Sequence, residues 1–297
     1  MKAIVTGANG FLGSTLIEKL LKNGFEIYAI DISFKNRKIP LSEQIIEIEC
    51  SIENIDEFKN LFPVNQIDLF YHLAWKGVNG LEKSNPNIQI KNIDLTLLCA
   101  KFAKEIGIKK FLCAGTIAER SIDSLNILSR TSGGMMYASA KYATRIILET
   151  YCKNVGLEFV WMQFSNIFGP NNRTGNLVSY TLCELLNNRE AKFGPANQPY
   201  DFVYVDDLIE AVYRLGINYT SKNIYYIGSG KPRLLKDYLI YIGTILSKEN
   251  LIKIGEREDD GIKYSFEMFD IKDLIIDIGN YISKSFEESI KYTIENY

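Results

Sequence analysis

Short apolar runs alternate with longer amphipathic stretches from the start of the chain. Residues 3–6, 26–30, 45–49, 68–73 and 111–114 are apolar-rich runs of strand length, which predicts five strands. Between the first two, residues 11–22 set Leu12, Leu16 and Leu20, with Ile17 and Leu21, on one face of a 3.6-residue repeat. The repeat stops at Asn23-Gly24, a pair suited to the left-handed end of a helix. Residues 88–106 and 136–155 read as two long helices, and a further strand is expected near 159–164. Strand followed by helix followed by strand, repeated, predicts an α/β protein: a doubly wound parallel sheet with helices on both faces.

The texture changes after Asn166. Two turn-rich loops, 168–176 and 193–199, flank a helix-like stretch at 177–186, and loops of this kind tend to carry function. Val205-Asp206-Asp207-Leu208 opens another helix, where an Asp at the N-cap is expected to accept backbone N–H bonds. Internal repeats and low-complexity tracts are absent from the sequence.

Composition narrows the function classes. With 297 residues, 46% of them apolar and 12% aromatic, the chain can build a large core, which excludes disorder over most of its length. Its 34 basic and 36 acidic side chains leave a net charge of −2, so no field of one sign favours nucleic acid or an anionic membrane. No apolar run approaches the roughly 18 residues of a membrane span, and no secretory leader precedes the first strand, which predicts a cytoplasmic protein. Cys50, Cys99, Cys113, Cys152 and Cys183 are odd in number, scattered and never in a C-x-x-C spacing, as reduced core thiols would be. His72 is the only histidine, so neither a multi-histidine metal site nor a Ser-His-Asp hydrolase can be assembled. No metal is expected.

Gly7-Ala8-Asn9-Gly10-Phe11-Leu12-Gly13 follows the first strand directly and opens the first helix. Its position gives it weight: Gly7 permits a tight turn, Gly10 lets backbone approach a pyrophosphate, Gly13 allows close packing, and the helix start offers free N–H groups. Asp31 ends the second strand, 18 residues beyond Gly13, where a carboxylate can accept bonds from both ribose hydroxyls and would repel a 2′-phosphate. NAD is favoured for that reason, with NADP as the alternative because Lys35 and Arg37 follow closely.

Tyr137 and Lys141 lie four apart in a helical stretch and are the sole Tyr-x-x-x-Lys pair in the sequence. Bringing a phenol from a pKa of about 10 to about 7 takes roughly 4 kcal/mol, which one unit charge about 4 Å away supplies at an effective dielectric near 20. An ammonium at Lys141 is the expected source. The rival reading of Tyr137 is an ordinary surface tyrosine.

Taken together and in order, these segments carry a resemblance: Thr6-Gly7-Ala8-Asn9-Gly10-Phe11-Leu12-Gly13, Asp31, His72-Leu73-Ala74, Thr116, Tyr137-Ala138-Ser139-Ala140-Lys141 and Ser165-Asn166-Ile167-Phe168-Gly169-Pro170-Asn171-Asn172. The chain resembles the extended short-chain dehydrogenase/reductases, specifically their nucleotide-sugar epimerase/dehydratase group, over nearly its whole length. The resemblance implies a Rossmann-like dinucleotide-binding domain over 1–165 and a mainly substrate-binding region over 166–297, part of which (about 200–216) returns to the first domain. It implies Tyr137 as acid/base, Lys141 as its modulator and a cofactor contact, and Thr116 as the residue orienting the reacting oxygen. Leu73 and Ala74 would line the dinucleotide together with Gly7, Asn9, Gly10, Phe11, Leu12, Gly13 and Asp31, while Asn166, Asn176 and Leu177 would approach the substrate diphosphate. His72 fits a structural backbone contact and is left out of the catalytic set.

Departures from the group's pattern narrow the chemistry. Its 4,6-dehydratases follow the active Thr with Asp-Glu, whereas Thr116 is followed by Ile117-Ala118. Ala118 also stands where members resembling GDP-fucose synthase carry a Cys. The remaining chemistry needs only a hydride and one proton at a sugar carbinol, expected to be C4. Asp31 tilts this toward an NAD-dependent 4-epimerase; the alternatives are a 4-ketoreductase of a 4-keto-6-deoxy sugar and a redox sensor without turnover, the last disfavoured because Tyr137 and Lys141 are both present. Tyr200 and Gln163 stand at usual Arg positions, so Arg173 or Arg233 is expected to meet the diphosphate instead. Related enzymes pair through two long helices, which predicts a homodimer through 88–106 and 136–155.

Overall fold

The computed structural model describes residues 1–122, 133–172, 174–259, 261 and 264–297. Among the described residues, seven strands form one parallel sheet: β1 (Lys2–Thr6), β2 (Glu26–Asp31), β3 (Ile45–Glu49), β4 (Leu69–His72), β5 (Lys110–Thr116), β6 (Glu158–Phe164) and β11 (Ile224–Ile227). Their spatial order is β11-β6-β5-β4-β1-β2-β3. The chain winds outward from β1 to β3, then crosses back to place β4 on the other side of β1. The switch point therefore lies between β1 and β4, where ligands of open α/β sheets bind beyond the strand carboxyl ends.

Side-chain alternation splits the core in two, as a sheet covered on both faces requires. Ala3, Val5, Ile27, Ala29, Leu69 and Tyr71 join one cluster, which receives Leu16, Ile17 and Leu20 of α1 (Phe11–Lys22) and Leu208, Val212 and Leu215 of α5 (Val205–Ile217). Ile4, Tyr28, Phe70, Phe111 and Trp161 join the other, which receives Cys99, Phe102 and Ala103 of α2 (Pro86–Glu105) and Leu148 and Cys152 of α3 (Gly133–Val155). Four of the five cysteines are buried and all are unpaired, in line with core thiols.

After β6 the chain builds three small two-stranded pairings. Strand β7 (Asn166–Phe168) pairs with β10 (Phe202–Tyr204), β8 (Ala191–Phe193) with β13 (Ile252–Ile254), and β9 (Pro199–Tyr200) with β12 (Arg233–Leu234). Around them lie α4 (Leu177–Leu186), α6 (Leu235–Ile245), α7 (Lys272–Ile278) and α8 (Phe286–Glu295). Phe168, Phe202, Tyr238 and Phe286 meet in edge-to-face and tilted pairs at centroid distances of 4.7 to 6.2 Å and fasten this region together. Both α5 and β11 return to the central sheet.

Two expectations need correction. The helix following Tyr204 has Tyr204, not an aspartate, at its N-cap, with no side-chain capping bond. Tyr204 is still extended, so Asp206 and Asp207 fall inside the first turn, where Asp207 accepts bonds from the Ser283 backbone and hydroxyl. The fifth strand runs to Thr116 and begins at Lys110, whose buried ammonium is satisfied by Leu215 and Asn218 carbonyls and by Glu158. A lysine so placed reads as a strand boundary in sequence only because its partners lie in distant segments.

Candidate active site

Gly7 leaves β1 with φ +70°, a left-handed backbone that glycine adopts without strain. A Cβ there would lie 2.9 Å from the Ala74 nitrogen, and a Cβ at Gly13 would lie 2.0 Å from the Gly7 carbonyl oxygen. The glycine loop, the start of α1 and the chain beyond β4 are thus pressed backbone to backbone. Gly10 caps α1 without any side-chain bond, and no acidic residue occupies the first turn. The helix start keeps N–H groups and a positive dipole end open to an anion.

Gly7, Gly10, Phe11, Leu12, Gly13 and Leu73 form one wall of a cleft of about 390 Å³. Thr116, Tyr137 and Lys141 line the same cleft, as do Asn166, Asn176 and Leu177. Its described lining carries two cations, Lys83 and Lys141, and no carboxylate. Another groove, of about 510 Å³ beside α1 and α5, contains none of the expected site residues, and its Lys19, Glu210 and Arg214 are paired with one another.

Asp31 ends β2 beside the glycine loop, and its carboxylate is oriented by the backbone N–H groups of Asn9 at 2.9 Å and Ile32 at 2.7 Å. The Asn9 side chain is used differently from its expected role. Its amide donates to the Ser33 and Asn36 carbonyls and its oxygen accepts from Lys38 N–H, so it ties down the loop after β2. Arg37 turns away from Asp31 to the Ile39 and Pro40 carbonyls and to Glu47.

Thr116 caps the turn Ile117–Ser121, and Tyr137 and Lys141 project from α3 one turn apart. The Tyr137 phenol is hydrogen-bonded to the Thr116 side chain. Lys141 is 3% exposed; its ammonium donates to the Ala114 carbonyl at 2.6 Å and sits 3.6 Å from the Trp75 ring centroid. Burial pulls this lysine down to about 8. The phenol moves opposite to expectation: burial, then the Glu119 carboxylate, raise it well above its ordinary value, and the Thr116 bond only partly opposes them.

Beyond β6, the Asn166 side-chain oxygen accepts from the Tyr200 hydroxyl at 2.9 Å, and its side-chain amide donates to the Asp201 backbone carbonyl. Asn176 caps α4 through Ser179 N–H and donates to the Ile167 carbonyl at 2.7 Å, which presents Leu177 and the helix start to the cleft. Arg233 is engaged with Glu287 rather than aimed at the cleft, so the expectation that it replaces the missing arginines is corrected; Arg173 lies outside the described residues. His72 bridges Thr6 and Thr96 at 2.8 and 3.2 Å, and burial drives it down to about 3, a neutral structural histidine.

Sequence reasoning missed three supports. Gln89 on α2, fully buried, holds the Trp75 indole and the Gly77 and Glu82 carbonyls, so it shapes the loop that lays Trp75 over Lys141. Glu119 is a buried carboxylate directly behind Thr116. Arg120 bonds Gln163 and the Met268 carbonyl. Only Glu119 had a local signal, the Thr-x-x-Glu spacing of a capping box. Among the described residues no helix is long and apolar enough to cross a membrane, and no group of three or more metal-ligating side chains occurs.

Comparison with known proteins bears on this site. The chain is 26% identical over 254 residues to UDP-glucuronate 4-epimerase of Thermodesulfobacterium geofontis, covering 80% of this chain and 78% of that one. It is 24% identical over 284 residues to protein CapI of Staphylococcus aureus, with 84% of each covered. A crystal structure of UDP-glucose 4-epimerase from Thermotoga maritima with UDP-glucose superposes with a TM-score of 0.83 at 23% identity, covering 100% of this chain and 98% of that one. The sequence model described as the NAD dependent epimerase/dehydratase family matches residues 3–228, a span that runs from the glycine loop through Thr116, Tyr137 and Lys141 to the last strand of the sheet. The chain belongs to that family.

Proposed function

We propose that the protein is an NAD-dependent enzyme acting at C4 of a nucleotide-diphosphate sugar, as a 4-epimerase. The observation that carries the reading is the convergence of Thr116, Tyr137 and Lys141 on the cleft walled by the glycine loop. That cradle fits a dinucleotide: a side chain at Gly7 or Gly13 would collide with backbone, and α1 is left uncapped toward the cleft. Asp31 at the end of β2, with Arg37 engaged elsewhere, favours the ribose of NAD over that of NADP. When bound, NAD supplies hydride acceptance and donation and a positive charge beside the phenol.

This chain's own residues do the rest. Tyr137 Oη takes the proton from the sugar hydroxyl and returns it, Thr116 Oγ1 holds that oxygen in register, and the Lys141 ammonium stabilises the phenolate. Asn176 and Leu177 offer the α4 start to the diphosphate. Loss of water from the sugar would need further acid/base groups, and the described lining of the cleft offers no carboxylate. The relatives that act as 4-epimerases support the same choice. We further propose that two copies pair through α2 and α3, whose outer surfaces expose Ile90, Met136, Ile146 and Ile147.

The test is incubation with UDP-glucuronic acid, UDP-glucose and UDP-N-acetylglucosamine in turn, each with catalytic NAD, followed by separation of C4 epimers. Interconversion with no net change in reduced cofactor supports the epimerase. Consumption of reduced cofactor with a 4-keto sugar, and no epimerisation, assigns the reductase instead; tight NAD binding without turnover on any of these assigns the sensor.

A further inference from the structure

Glu119 is a buried carboxylate to which the proposed mechanism gives no task. It is 1% exposed and is held from three sides. Its oxygens accept from the Thr116 backbone N–H at 2.7 Å, from the Trp161 indole N–H at 2.9 and 3.1 Å, and from the Gln163 amide at 3.3 Å. Arg145 Nε on α3 lies 3.5 Å away. Tyr137, Lys141 and Arg145 follow one another at four-residue steps along α3, so the carboxylate faces a single stripe carrying the phenol and two cations.

We propose that Glu119 is a positioning residue of the catalytic centre, a buried anion that pins the strand end bearing Thr116 and acts as the fixed counter-charge to the Lys141–Arg145 side of α3. Burial raises its carboxyl above the ordinary value, and the bonds from Thr116, Gln163 and Trp161 together with the Lys141 charge oppose that rise. A full charge in the core is tolerated only with partners, and here these are cations on the catalytic helix. The groups facing Glu119 are Lys141, Arg145 and Tyr137 from α3, Cys113 from β5, Trp161 and Gln163 from β6 and Arg120 on its own turn. Its charge favours the ammonium of Lys141 and opposes ionisation of Tyr137. Burial and, after it, this charge hold the phenol above its ordinary value.

The inference rests on Thr116, Tyr137 and Lys141 being the catalytic centre, but its test needs neither sugar nor cofactor. The chain has two tryptophans, and both flank the Lys141 ammonium, Trp75 at 3.6 Å and Trp161 at 5.8 Å. Intrinsic fluorescence of the whole, cofactor-free protein is followed between about pH 6 and pH 10, with Lys141→Met as the control that identifies the lysine transition. The parent is expected to show a transition near pH 8 that the control lacks. Glu119→Gln, which keeps size and acceptor capacity, is expected to move the midpoint down by about one pH unit or more. Glu119→Asp, which keeps the charge, is expected to stay within about half a unit of the parent.

Equal midpoints in all three proteins, a common displacement of both variants, or no Lys141-dependent transition in the parent would overturn the proposal. Should Glu119→Gln fail to fold, as judged by far-UV circular dichroism, Glu119→Asp decides alone: a parent-like midpoint supports the charge role and a displaced one overturns it. Loss of the epimerase reading would appear instead as absent turnover with this titration unchanged.

Discussion

At the scale of single residues, burial and the Glu119 carboxylate raise the Tyr137 phenol. Tyr137→Phe is expected to leave NAD affinity within about threefold of the parent and to lower turnover of any accepted nucleotide sugar by at least roughly a hundredfold, the usual cost of losing a general acid/base. Steady-state kinetics alongside a fluorescence titration with NAD checks it, and near-normal turnover would remove Tyr137 from the mechanism. Asp31→Ala is expected to weaken NAD binding and relax discrimination against NADP, measured as the ratio of their dissociation constants. The Tyr-x-x-x-Lys pair and Asp31 stood out as residue types at a fixed distance from a recognisable element, whereas Thr116 came only from the family resemblance. The raised phenol was not legible in the sequence, because it depends first on burial, which only the assembled cleft sets, and then on the Glu119 carboxylate held three residues beyond Thr116.

Among the elements, the bounds of α1 and α4 match the sequence reading because both carry strong end signals: Asn23-Gly24 after α1, and Asn176 before α4. Asn176→Ala removes both the α4 cap and the bond to the Ile167 carbonyl, and about 1 kcal/mol or somewhat more should be lost in denaturant titration. The helix after Tyr204 was misjudged by position because capping chemistry and dipole chemistry attract the same residue type to neighbouring sites.

His72 links β1, β4 and α2 through Thr6 and Thr96. Its folded pKa, about 3, lies below the ordinary 6.5, so the unfolded chain binds a proton that the folded chain refuses. Stability should therefore fall as pH drops from about 6.5 toward about 3, by on the order of 4 kcal/mol from this group, and His72→Asn should flatten that part of the profile.

Across the whole molecule, the strand order puts the switch between β1 and β4 at the mouth of the cleft, and the chain after β6 returns to wall it with Asn166, Asn176, Leu177 and Phe202. The α/β class was readable from alternation alone. The wall was not, because its short strands β7 to β10 and β12 to β13 pair across long stretches of sequence and carry little periodicity of their own. Pairing of two copies through α2 and α3 is expected to give twice the 33.9 kDa chain mass in light scattering, and Ile146→Glu with Ile147→Glu should return the monomer.

A crystal structure of the protein with NAD decides where the reacting groups lie. The pyrophosphate is expected over Gly10, Phe11 and Leu12, the adenosine ribose on Asp31, and the Tyr137 hydroxyl facing the nicotinamide ring. A dinucleotide bound away from those glycines, or a hydroxyl directed elsewhere, would contradict that arrangement.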